Sequence, residues 1–90
     1  MSIFAQTGTI KGRVFDKINN ESLPFANVVI EGTTTGATTD LDGNYVLNVE
    51  PGLYNITASF VGYKNITEYE VQVSLSKPAV IDFALDAGNQ

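Results

Sequence analysis

The sequence predicts an all-β fold, a seven-stranded antiparallel Greek-key β-sandwich. Three observations predict it. The apolar residues are mostly Val, Ile, Leu, Phe and Tyr, the types that suit a pleated, half-buried surface. Short segments alternating apolar and polar recur along the chain, separated by Gly, Asn, Asp and Pro. No segment carries the 3.6-residue periodicity of an amphipathic helix.

The first strand is predicted over residues 9–16, with Ile10, Gly12 and Val14 on one face and Lys11, Arg13 and Phe15 on the other. Residues 18–24 read as a loop, since Asn19 and Asn20 tolerate left-handed backbone and Pro24 cannot donate to a ladder. The second strand, residues 26–31, turns Ala26, Val28 and Ile30 inward. A Gly/Thr-rich stretch then leads to a short strand over 36–39, whose composition suits a sheet edge. Asp40-Leu41-Asp42-Gly43 is a turn: aspartate caps nearby N–H groups and glycine accepts a positive φ. It opens the strand 44–49, with Tyr45, Leu47 and Val49 inward. Glu50-Pro51-Gly52 reads as the turn of a hairpin joining that strand to 53–60, where Tyr54, Ile56, Ala58 and Phe60 face the core. Gly62 interrupts the pattern. Residues 66–73 resume it with Tyr69, Val71 and Val73 inward, and after Lys77-Pro78 a last strand turns Ile81, Phe83 and Leu85 inward.

Ninety residues allow one core and one domain, because a chain of this length buries only about 60–65% of its unfolded surface. The domain is expected over 9–86, with 1–8 as a leader or signal-peptide remnant and 87–90 as a linker. Phe4-Ala5-Gln6 fits the tail of a signal peptide, with Ala5 as the small residue before the cut. Five basic residues against ten acidic ones give a net charge of -5 with no basic cluster, so no nucleic-acid partner is expected. No run approaches the ~18 apolar residues of a membrane span, so membrane association is expected only through a parent protein. The absence of cysteine excludes disulfides and thiolate ligands.

Several short motifs succeed one another in a specific order. They are Gly12-Arg13-Val14 with Asp16, Leu23-Pro24-Phe25-Ala26-Asn27-Val28, Gly32-Thr33 and Gly36, Thr39-Asp40 with Asp42-Gly43-Asn44-Tyr45, Gly52 with Tyr54, and Val61-Gly62-Tyr63. Together they resemble the carboxypeptidase regulatory-like domain over residues 9–85. The resemblance implies a transthyretin-like (prealbumin-like) sandwich that acts as a non-catalytic accessory domain. In Bacteroidetes-type bacteria it also implies the N-terminal extension of TonB-dependent outer-membrane transporters of the SusC/RagA kind. An exported protein, periplasmic or associated with the outer membrane, is the implied setting.

Residue chemistry bears on function mainly by exclusion. With no His and no Cys, the commonest general base, the thiol nucleophile and the Ser-His pair are absent. Asp40 and Asp42 are the nearest carboxylate pair, but a turn on a small domain offers no evident pocket, so no enzyme and no cofactor are expected. Asp40, Asp42 and Asn44 are candidate calcium ligands, with oxygen side chains two residues apart. The loop departs from an EF-hand, since Gly43 falls at the fourth position and Pro51 where a glutamate is needed; an Asx turn accounts for the same residues. Lys11 and Asp82 as isopeptide partners both fall on the outward face. Phe15, Phe25 and Tyr63 escape burial by alternation, either as sugar-stacking rings or, as the more usual case, packed under loops or a neighbouring domain. Asn27 and Asp40 are expected to tie loop backbones together. The Asn20, Asn55 and Asn65 triplets match glycosylation acceptors and would be idle in a bacterium. The expected partner is a protein or the remainder of the same chain, met by a monomer, with the short strand 36–39 or the last strand as candidate docking edges.

Overall fold

The computed structural model describes residues 6–87, and within them the chain is all-β. Residues 1–5 of the expected leader and 88–90 of the expected linker lie outside the described range. Eight strands run in order: β1 (Gly8–Asp16), β2 (Asn27–Ile30), β3 (Gly36–Thr38), β4 (Asn44–Val49), β5 (Gly52–Ser59), β6 (Ile66–Val73), β7 (Ala79–Val80) and β8 (Phe83–Leu85). They form two sheets, one ordered β4-β1-β7 with β8 also on β1, the other β3-β2-β5-β6.

The alternation fixes the core. Ile10, Val14, Val28, Ile30, Tyr45, Leu47, Ile56, Val71 and Phe83 are buried as the sequence predicts, and Phe60 and Ile81 are half-buried against them. Burying each such aliphatic or aromatic side chain contributes about 1.5–3 kcal/mol. Tyr45 on β4 and Phe83 on β8, the strands on either side of β1, meet with ring centroids 6.0 Å apart. Leu23, assigned to a loop by sequence, is also buried.

Four expectations are corrected. The expected hairpin of β4 and β5 does not form: β4 pairs with β1, β5 with β2 and β6, and Glu50-Pro51-Gly52 carries the chain from one sheet to the other. Gly52 is not among the glycines with positive φ, which the expected tight turn requires at that position. The expectation of an antiparallel sandwich fails at the C-terminal end, where β7 and β8 run parallel to β1. β6 ends beside the start of β1, with the Ser74 carbonyl packed on Gly8, so a chain returning along the free side of β1 has to run with it.

The expected single last strand is in two pieces. Ile81 N–H donates to the Lys11 carbonyl at 2.8 Å, while the Ile81 carbonyl accepts the Tyr45 hydroxyl at 2.6 Å. Gly12 makes room for this: a Cβ there would lie 1.8 Å from the Ile81 oxygen.

The fourth correction is Tyr69, which is 69% exposed rather than inward. Ile56 faces Glu68 and Tyr54 faces Val71, so Tyr69 and Glu70 stand together opposite Asn55 as a β-bulge. Glu70 takes a φ of 56°, and its N–H donates to Asn55 Oδ1 at 2.9 Å. The extra residue returns Val71 and Val73 to the core.

Candidate functional site

The pairings Arg13↔Asn44 and Asn27↔Ser59 bring three connections to one end of the sandwich: the loop after β1, the turn before β4 and the turn after β5. Two polar side chains tie them together. Asp16, only 7% exposed, closes β1; its Oδ1 accepts the N–H groups of Ile18 and Asn19 at 2.7 and 3.0 Å, and its Oδ2 accepts the Tyr63 hydroxyl at 2.5 Å. The Tyr63 hydroxyl and these amides hold the Asp16 carboxyl below its ordinary pKa, and the same bond raises that of Tyr63.

Thr39 is the second tie. Its buried hydroxyl accepts Ala26 N–H at 2.8 Å and donates to the Leu23 carbonyl at 2.6 Å. No buried side-chain polar atom lacks a partner among the described residues. Sequence reasoning missed both roles, because Asp16 and Thr39 each end an ordinary strand and only their burial distinguishes them.

Asp40 caps its turn as expected: Oδ1 accepts the N–H groups of Asp42 and Asn44, each at 2.9 Å. Asp42 and Asn44 are exposed, and among the described residues no three acidic side chains gather as a metal-binding group. Asn27, expected to tie loops, is an exposed strand residue with no side-chain hydrogen bond among those described. Lys11 and Asp82 are both exposed; the Asp82 carboxylate accepts Arg13 N–H at 2.9 Å.

The three rings part company. Tyr63 packs on Phe60 with centroids 5.6 Å apart, and Phe15 lies under the Arg13 guanidinium at 4.8 Å. Phe25 alone stays open, 64% exposed with a φ of 62°. Ile18, Leu41 and Val61 are also largely exposed, so the loop after β1 presents two apolar tips, Ile18 and Phe25, and the other two connections one each. A recess of about 620 Å³ lies at the other end along Leu53 and Val73 to Ser76, and among the described residues no ionisable side chain lines it. Burial, with the Asp82 and Glu68 charges, raises the Tyr45 pKa well above the ordinary phenol value, so that hydroxyl serves as a structural donor.

Comparison with known proteins adds a family to this geometry. The profile of the CarboxypepD_reg-like domain matches residues 10–89. The TonB-dependent receptor SusC of Bacteroides thetaiotaomicron is 49% identical over 61 residues, 68% of this chain and 6% of the receptor. Carboxypeptidase D of Anas platyrhynchos is 34% identical over 76 residues, 84% of this chain and 6% of that protein. The chain therefore spans only about 6% of the length of these curated relatives. Among solved structures, a type II cohesin-X-dockerin complex from Acetivibrio cellulolyticus superposes on 92% of this chain and 60% of its own with a TM-score of 0.76. The identity there is 20%, a likeness of fold.

Proposed function

The chain belongs to the CarboxypepD_reg-like domain family, and from that premise we propose that it is a non-catalytic accessory domain of a larger exported protein, the periplasmic N-terminal extension of a TonB-dependent outer-membrane nutrient transporter. The 49% identity to SusC carries this reading. The residue chemistry agrees with it. A chain without His or Cys, whose most perturbed carboxylate is engaged by two amides and a phenol, is equipped to hold loops in place rather than to move protons. Its role is mechanical and spatial: a rigid body that sets a distance and offers surfaces to a protein partner.

The reading frame on both sides of these residues tests the proposal. A signal peptide before them and a plug followed by many short alternating strands after them are the expected result. A frame that continues into a peptidase, or stops at Gln90, overturns it.

A further inference from the structure

Each sheet edge is a row of unpaired backbone groups that folded proteins normally guard. β3 is guarded by brevity, with three residues. β6 is guarded by its bulge and by Glu68 and Glu70. The β7/β8 side is broken into pieces of two and three residues, with Asp82 bonded across the gap. β4 has none of these devices: its six residues, Asn-Tyr-Val-Leu-Asn-Val, carry no charge, proline, glycine or bulge.

The free groups on that edge can be named. Val14 N–H donates to the Gly43 carbonyl, and the ladder continues through Gly12↔Tyr45 and Ile10↔Leu47, so Tyr45, Leu47 and Val49 turn their backbone groups to β1. Asn44, Val46 and Asn48 turn theirs outward. Asp40 occupies the edge at Asn44, since its Oδ1 takes the Asn44 N–H and its own N–H donates to the Asn44 carbonyl, each at 2.9 Å. The N–H and C=O of Val46 and of Asn48 remain, without partners among the described residues.

Side chains set the chemistry of what fits there. In the middle, Val46 is 55% exposed and stands in one outward row with Lys11 and Val80, beside a groove of about 260 Å³. An apolar side chain suits that place and a cation does not. Both ends are acidic, with Asp40 and Asp42 at one and Glu50 at the other. The nearby Arg13 guanidinium is drawn away to Ser22 and the Asn20 carbonyl. A second copy of the chain fits poorly: the two-fold register joining Val46 to Asn48 of the copy sets Glu50 of one opposite Asn44 of the other, whose edge groups Asp40 already occupies. We propose that the β4 edge receives, by strand addition at Val46 and Asn48, an extended protein segment with an apolar centre and basic ends.

The test is an amide NMR titration of the isotope-labelled chain with two capped synthetic heptapeptides. Both alternate threonine and valine; one has lysine at its two ends and its twin has glutamate. The lysine peptide is expected to shift the Val46 and Asn48 amides and to bind about tenfold more tightly than its twin at low salt, a ratio that shrinks as salt is raised. Glu50→Gln, a change at an exposed side chain, is expected to narrow the ratio. Equal affinities, no shifts, or shifts confined to β3 or β6 would overturn the proposal. Concentration-dependent shifts of Val46 and Asn48 without peptide would overturn it too, by making a second copy the occupant.

Discussion

Asp16 links the loop after β1 to the turn bearing Tyr63, and its titration makes that link sensitive to pH from both sides. Its folded pKa is depressed, so its contribution is present above the unfolded value near pH 4 and is lost as pH falls through the folded value. Tyr63 is raised, so its contribution is full below about pH 10 and is lost as pH climbs through the folded value. Asp16→Asn is expected to lower the melting temperature at pH 7 and to flatten its decline in acid, which thermal melts at a series of pH values would read. Gly12 is the other residue on which the first sheet turns. Gly12→Ala forces a Cβ into the Ile81 carbonyl that Tyr45 holds, and is expected to cost about 3 kcal/mol or more in denaturant unfolding. Neither position announces itself by hydrophobic pattern. Gly12 reads as one more inward residue, and Asp16 as the polar end of a strand.

At the level of elements, alternation was enough to locate the strands and their inward faces, because a period of two is a local property. It fails where one strand answers to another. Tyr69 is inward by counting along its own strand, but the residue set against Asn55 decides the face, and no periodicity in β6 reveals that Asn55 waits with a side-chain acceptor. The same holds for β4 and β5: a Pro-Gly turn is a local signal, whereas the choice of β1 over β5 as partner belongs to the whole topology. Of the candidate site, the Asp40 cap was legible from Asp-x-Asp-Gly, while the Thr39 and Asp16 ties depend on burial that only the assembled loops create. The bulge makes its own prediction. Glu70 holds a left-handed backbone that glycine adopts freely, so Glu70→Gly is expected to raise stability by about 0.5–1 kcal/mol with the Asn55 bond retained, as measured by chemical denaturation.

For the whole molecule, the strand that opens the domain is finished by the strand that closes it. β8 adds Phe83 and Leu85 to the core and covers Val14 to Asp16, so a chain ending at residue 82 is expected to lack a cooperative melt and dispersed amide resonances. Phe83→Ala, a milder cut at the same place, is expected to cost about 3–5 kcal/mol. The neighbouring β1 and β8 also run in the same direction. Tension applied to the two ends of the domain therefore slides one strand along the other, and the rungs between them must yield together rather than open one after another. A body strung between two anchors in this way behaves as a shear-loaded clamp, stiff along the line of pull.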